Sequence, residues 1–228
     1  MVNTNSKKEV RNILFDLGGV ILELDRPAHE AAFRKLARAP FEDVRSRVVN
    51  DPMFKSLEMG KVSMAEFRNF LRQVIQEFWK TPSDRCELSD EVIDSAWRTV
   101  IRGFPKQNLV LLQDLRAQGF KLGLFSNINP MHFAQVKEVF ERDTGQGFET
   151  FESYFEGRAY FSHLEGMIKP YPESFEKILA KAGFQAGETL FLDDTSEHIE
   201  GASSLGIHTR LTDIQDVLKI QEFFTNRR

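Results

Sequence analysis

Four short segments carry side chains whose type and setting could do chemistry. In FDLGGVI, Asp16 stands at the end of an apolar run, and Gly18 and Gly19 follow it. Glycines lack a Cβ, so backbone amides there can come close to an anion. Taken alone, the same aspartate also fits a turn. LFSN ends in Ser126 and Asn127, a hydroxyl and an amide that could grip phosphate oxygens together with backbone N–H groups. The pair suits equally the N-cap of a helix opening near Pro130. Lys169 in GMIKP precedes a proline, which keeps the chain extended, and a lysine on such a loop also fits plain solvation. In FLDDT, Asp193 and Asp194 close another apolar run. Adjacent carboxylates repel each other and are tolerated most easily beside a cation, although a pair capping the next helix is the simpler alternative.

These residues need elements to bring them together. Asn12 to Phe15, Lys121 to Phe125 and Thr189 to Leu192 are short apolar runs that stop at polar residues, as buried strands do, and Gly206 to Leu211 is a weaker final candidate. Between them lie helix patterns. Pro105 opens one that carries Leu109, Leu112 and Leu115 and stops at Gly119, and Pro172 opens another that carries Phe175, Ile178, Leu179 and Ala182 before Gly183. Alternating strands and helices imply a doubly wound parallel α/β sheet with right-handed crossovers, in which ligands bind at the carboxyl ends of the strands. The stretch from Pro27 to about Arg102 breaks the alternation and carries helix patterns with no convincing strand. Its clearest helix opens with Ser63 and Glu66 spaced as a capping box and runs Phe67, Phe70, Leu71, Val74, Ile75 and Phe78 down one face. The expected organisation is therefore a core from residues 1–26 and 103–228, with a helical cap over 27–102 of about 75 residues, within reach of a small domain.

Composition bounds the rest. The chain has 228 residues, 41% hydrophobic and 28% charged, which excludes disorder, fibrous repeats and low-complexity architectures. The 30 basic and 34 acidic residues leave a net charge of -4, so neither nucleic acid nor an anionic membrane is an expected partner, and any phosphate must be held locally. No apolar run reaches the ~18 residues of a membrane span. The opening MVNTNSKKEV lacks the apolar region and cleavage site of a secretory signal, which points to the cytoplasm. The single cysteine, Cys86, has no internal disulfide partner and reads as an ordinary buried or half-buried thiol. Five histidines, His29, His132, His163, His198 and His208, show no metal-ligand spacing and read as surface or satisfied, partly buried groups. Glu197 reads as a solvated first-turn carboxylate, and the 21 phenylalanines as core and cap interface.

The ordered set of Asp16, Ser126-Asn127, Lys169-Pro170 and Asp193-Asp194 resembles the haloacid dehalogenase superfamily over nearly the whole chain. FDLGGVI, LFSN and LDDTSEHIEGA together are similar to bacterial sugar-phosphate phosphatases, in particular the glucose-1-phosphate phosphatase type, and the Glu58, Gly60, Ser63 run resembles a pattern common in the family's caps. The resemblance implies a Rossmann-like core with a cap inserted after the first strand, and a Mg²⁺-dependent phosphatase of small phosphorylated metabolites, sugar phosphates above all. It implies Asp16 as the nucleophile that forms an aspartyl phosphate. It also implies Lys169 as the charge that neutralises the phosphoryl group, and Gly18, Ser126, Asn127 and Lys169 as the phosphoryl-binding set. Asp16, Asp193, Asp194 and the Gly18 carbonyl are then the Mg²⁺ ligands. An all-oxygen ligand set argues against zinc.

One position departs from the family pattern. Its phosphatases carry a second aspartate two positions after the nucleophile, as general acid and base, and here that position is Gly18. Such a group contributes roughly 10²- to 10⁴-fold, so its loss needs an answer. The glucose-1-phosphate phosphatase type also has a glycine there, and an anomeric or carboxylate leaving group needs the acid less. Asp25, which also fits a hinge or N-cap, and the cap residue Glu58 are the substitutes within this chain. Two rival functions remain at this level. One is a metal-independent 2-haloacid dehalogenase, against which the late aspartate pair counts, and the other is an impaired phospho-metabolite binder in which Gly18 spares binding and removes turnover.

Overall fold

The computed structural model describes residues 10–220, so the segment MVNTNSKKEV lies, apart from Val10, outside the described residues. In chain order the elements are β1 (Asn12–Phe15), β2 (Glu23–Leu24), α1 (Arg26–Ala37), α2 (Phe41–Val49), α3 (Pro52–Glu58), α4 (Met64–Glu77), α5 (Asp90–Arg98), β3 (Ile101–Gly103) and α6 (Lys106–Ala117). They continue with β4 (Lys121–Ser126), α7 (Pro130–Thr144), α8 (Phe148–Ser153), β5 (Ala159–Phe161), α9 (Ser162–Glu165), α10 (Pro172–Ala182), β6 (Thr189–Asp193), α11 (Ser196–Ser203) and β7 (His208–Leu211). Among the described residues no helix is long and apolar enough to cross a membrane.

Five strands form one sheet in the order β5-β4-β1-β6-β7, and every pairing is parallel. Asn12 pairs with Lys121 on one side and Thr189 on the other, which brings the carboxyl ends of β1, β4 and β6 level. The strands are apolar on both faces because helices cover both. Ile13, Phe15, Leu122, Leu124, Leu190 and Leu192 point into one cluster with α6, α7 and α8, while Leu14, Phe125 and Phe191 point into the other with α10. The chain moves from β1 to β4 on one side and later returns to β6 on the other. This reversal opens a crevice beyond the strand ends at β1.

The helices α1 to α5 surround a third cluster, with Phe33, Val44, Val48, Phe67, Leu71, Val74, Ile75 and Trp97 in its middle. The capping box is present, Ser63 Oγ accepting from the Glu66 N–H while the Glu66 carboxylate accepts from the Ser63 N–H at 2.8 Å. Two elements differ from the reading of the sequence. The stretch before residue 102 is not free of strand, since Ile101–Gly103 pairs antiparallel with Glu23–Leu24 to make a two-stranded ribbon, and Ala159–Phe161 adds a strand at the edge of the main sheet. Both are two or three residues long, below the length at which alternation can register.

Candidate active site

Asp16, Ser126 and Asp193 all come from ends of neighbouring strands, and the parallel register gathers them at one place. Asp16 N–H donates to the Leu192 carbonyl at 2.8 Å, which continues the β1–β6 ladder into the loop and holds the aspartate beside the second pair. Asp16, Asp193 and Asp194 each offer a carboxylate oxygen within 4.8 Å of the others. Three carboxylates this close need compensating positive charge, and part of it is in the chain.

Lys169 supplies that part. Its side chain is fully buried, with Nζ 2.6 Å from Asp16 Oδ1 and 2.6 Å from Asp193 Oδ2. Burial alone would push the ammonium pKa down, but the two carboxylates outweigh it and hold the pKa above the ordinary lysine value. The solvated-loop reading of Lys169 is therefore wrong. The reason lies in Asn127, whose side-chain oxygen accepts from the Lys169 N–H at 2.9 Å and whose Nδ2 donates to the Lys169 carbonyl at 3.0 Å. This amide clasp ties the loop to the end of β4. It also means that the Asn127 side chain serves Lys169 directly, while Ser126, almost fully buried, makes no hydrogen bond through its hydroxyl among the described residues. Neither residue caps α7, whose N-cap is Asn129.

The carboxylates are not equivalent. Burial raises Asp16 to about 6, with Lys169 pulling against it and Asp193 and Asp194 adding to it. For Asp193 burial also pushes upward, yet Lys169 and His198 prevail and bring it to about 2. Asp193 accepts from Lys169, from the Thr195 N–H at 2.9 Å and from His198 Nδ1 at 3.0 Å. Asp194 is more open and pairs with the exposed Arg26 at 2.7 Å. His198, read from the sequence as a surface or satisfied, partly buried histidine, is satisfied by Asp193; the signal that pointed to this partner was its place in the first turn of a helix that starts right after the aspartate pair.

The two glycines behind Asp16 differ as well. Gly19 has φ +80°, and a Cβ there would lie 2.2 Å from Asp194 Oδ2, so only glycine lets the loop pass the acidic cluster. At Gly18 a Cβ would meet Leu24 Cδ1 at 3.4 Å, ordinary contact. Of the two candidates for the missing acid, Asp25 is spent as the N-cap of α1, accepting from the Ala28 N–H at 2.9 Å. Glu58, at the end of α3, faces the site, and burial raises it to about 7, with Lys169 pulling it down and Asp16 pushing it up. Gly60 explains how Glu58 gets there. Its φ is +68° and a Cβ would sit 2.2 Å from the His163 carbonyl oxygen, so the turn after α3 can press directly against α9.

A cavity of about 540 Å³ opens over these groups. Asp16, Gly18, Ser126, Asn127 and Asp194 form its floor, and the helical insertion forms its walls. A buried lysine between carboxylates, a cluster of three acidic groups and an uncommitted hydroxyl at the base of a deep cavity are suited to hold a divalent cation and a phosphoryl group side by side.

Comparison with known proteins agrees with this chemistry. Residues 10–206 match the haloacid dehalogenase-like hydrolase family. The chain is 31% identical over 204 residues to D-ribitol-5-phosphate phosphatase of Bacteroides thetaiotaomicron, covering 88% of this chain and 90% of that enzyme. It is 33% identical over 105 residues to the sesquiterpene phosphatase astK of Aspergillus oryzae, covering 45% and 48%. A HAD family enzyme of Bacteroides thetaiotaomicron, crystallised with magnesium and inorganic phosphate, superposes with a TM-score of 0.71 at 32% identity, over 88% of this chain and 93% of that one. This chain accordingly belongs to the haloacid dehalogenase-like hydrolase family and, with these phosphatases, is a Mg²⁺-dependent hydrolase of phosphate esters.

Proposed function

We propose that the protein is a cytoplasmic phosphatase of small phosphorylated metabolites that works through an aspartyl phosphate on Asp16, under a cap formed by residues 27–102. The observation that carries this reading is the convergence of Asp16, Asp193 and Asp194 within 4.8 Å around the buried Lys169 at the floor of the cavity. Asp16, Asp193, Asp194 and the Gly18 carbonyl are the Mg²⁺ ligands in this reading, and the ion's charge offsets the repulsion between a phosphate dianion and a carboxylate. Asp16 attacks phosphorus, the bond to the leaving alcohol breaks, and Glu58 gives that oxygen its proton. Glu58, now a carboxylate, then takes a proton from water as the water attacks phosphorus and releases Asp16 and inorganic phosphate. Lys169 offsets charge at the nucleophile throughout, and Ser126 and the backbone near Gly18 and Asn127 orient the phosphoryl oxygens.

Two relatives divide the choice of leaving group between them. The D-ribitol-5-phosphate phosphatase supports the sugar-phosphate class expected from the sequence, and the sesquiterpene phosphatase supports an apolar alcohol. The late aspartate pair weighs against a metal-independent dehalogenase, and a raised carboxyl at Glu58 weighs against an impaired binder. The test is phosphate release from a panel of phosphate esters with and without Mg²⁺, with the Asp16→Asn protein beside the wild type. Release that needs both Mg²⁺ and Asp16 is expected; release undiminished by either change would overturn the mechanism.

A further inference from the structure

We propose that the leaving group is a hydrocarbon-rich alcohol whose apolar body lodges in the helical insertion, so that the preferred substrate is an alkyl- or terpenyl-type phosphate monoester and not a polyol phosphate. This inference rests on the phosphatase reading and narrows it.

Beyond its floor the cavity runs into the centre of the insertion, where Leu24, Phe41, Val44, Val48, Phe54 and Trp97 line it. Val44, Val48 and Trp97 also belong to the insertion's own buried cluster, so the cavity, open on one side, is backed by the insertion's apolar core. An apolar wall gains most from occupants that bury carbon against it.

The polar groups in the wall are largely committed to the protein. His29 Nδ1 lies 3.3 Å from Thr99 Oγ1. His132 uses both ring nitrogens, Nε2 on the Trp97 carbonyl at 3.0 Å and Nδ1 on Asn129 Nδ2 at 3.0 Å. The Asn129 oxygen caps α7 through the His132 N–H. Burial brings both imidazoles down to about 4, so neither is charged at neutral pH. Arg45 pairs with Glu42 at 3.3 Å and borders the cavity at its rim. Two donors are not used up in this way: the Trp97 indole N–H, buried and without a partner among the described residues, and the rest of the Arg45 guanidinium at the rim.

A sugar or polyol would bring several hydroxyls against the carbon of Leu24, Phe41, Val44, Val48 and Phe54, with Arg45 at the rim as the main exposed donor to meet them. Each hydroxyl buried without a partner costs about five- to a hundredfold in affinity. Each methylene removed from water gains up to about fourfold. Both effects act on the same wall, and they favour the same substrate class.

The experiment measures kcat/KM with Mg²⁺ for ethyl, butyl, hexyl and octyl phosphate, each below its micelle concentration, beside ribitol 5-phosphate and glucose 6-phosphate. The expected result is a rise of at least about tenfold from ethyl to octyl phosphate, with octyl phosphate at least about tenfold above either polyol ester. Phe41→Asn should reduce the slope with chain length. A second readout needs no turnover. 1-Octanol titrated into the protein should saturate a change in tryptophan fluorescence that Trp97→Phe removes, and ribitol should produce none. Hydrolysis that is flat with chain length or fastest on polyol esters, with no octanol binding, would overturn the apolar site and leave the phosphatase reading intact. Saturable octanol binding with no phosphate released from any ester would do the reverse.

Discussion

The floor and the wall of the cavity are built on opposite principles. The floor takes its residues from three neighbouring parallel strands and the loops behind them, and nearly every polar atom there is held by another. Lys169 bridges Asp16 and Asp193, Asn127 clasps the Lys169 backbone, and Thr195 and His198 hold Asp193. The wall comes from helices linked to the core through a ribbon of two short strands, and it offers mostly carbon. Charge chemistry therefore sits on the strand ends and shape on the helices packed above them. Substitutions in the floor should change whether the reaction occurs, and substitutions in the wall should change what it occurs on.

The largest expected effect is that of Asp16→Asn. An amide is neither nucleophile nor anionic ligand, so kcat should fall on the order of 10⁴-fold or more. The folded protein should survive, because Asp16 is held above its ordinary pKa mainly by burial and its ionisation is a cost to the native state. The sign follows from proton linkage: with a folded value of about 6 against an ordinary 3.8, the native metal-free protein binds the extra proton, and its stability falls as pH rises from about 4 to 6. Asp16→Asn should remove this slope in urea melts of metal-free protein, and an unchanged slope would place its origin elsewhere. Asp193 acts in the opposite sense. Lowered to about 2, it adds stability above pH 4 that is lost as pH falls through 2.

Next in size is Glu58→Gln. As acid and base at the boundary of floor and wall, its loss should lower kcat for alkyl phosphates about 10²- to 10⁴-fold and that for aryl phosphates, which leave without a proton, far less. Since Glu58 titrates at about 7, the wild-type rate on alkyl esters should decline above pH 7 as the proton is lost, and the decline should vanish in the variant. The same carboxyl has a folded pKa above its ordinary 4.5, so its ionisation weakens the fold at pH 8 relative to pH 5. Glu58→Gln should then be less active and, at pH 8, more stable. A variant that loses activity and stability together would assign Glu58 a merely structural role.

The floor was far more legible in the sequence than the wall, for a physical reason. Asp16, Ser126 and Asp193 each end an apolar run, and once the runs are parallel strands their carboxyl ends must meet, so one-dimensional order translates into a site. Burial of Lys169 was not legible, because it depends on the Asn127 clasp across 42 residues of separation. Nor was the role of His198, since a helix start gives no sign of which way a ring turns. The apolar wall of the cavity was the least legible feature. Val44, Val48 and Trp97 follow the same helical period whether the core they face is filled or open.

A smaller effect separates the two glycines. Gly19→Ala should disrupt the acidic cluster, since its Cβ would collide with Asp194, and should weaken Mg²⁺ binding along with stability. Gly18→Asp should fold, because the added Cβ meets only Leu24 at 3.4 Å. In the wild type it should add little, because in the proposed mechanism Glu58 supplies the acid. In the Glu58→Gln background it should restore about tenfold or more of the lost alkyl phosphatase rate. No recovery in that double variant would mean that an acid at position 18 cannot reach the leaving oxygen.

The smallest expected effect lies at the seam between the two regions. Arg26, the first residue of α1 and the last core residue before the cap, reaches Asp194 at 2.7 Å, but its side chain is 68% exposed. An ion pair in that much water is worth about 0.2 to 1 kcal/mol and is screened by salt. Its guanidinium also competes with a divalent ion for the Asp194 carboxylate, so removing it has two opposed consequences. The link from the start of α1 to the floor is lost, and Asp194 becomes freer to bind metal. Arg26→Ala should therefore leave kcat near the wild-type value and tighten apparent Mg²⁺ affinity by no more than about fivefold, an advantage that fades as ionic strength rises. A tenfold or greater loss of Mg²⁺ affinity would show instead that Arg26 positions Asp194 for the ion, and the seam would then count as part of the floor.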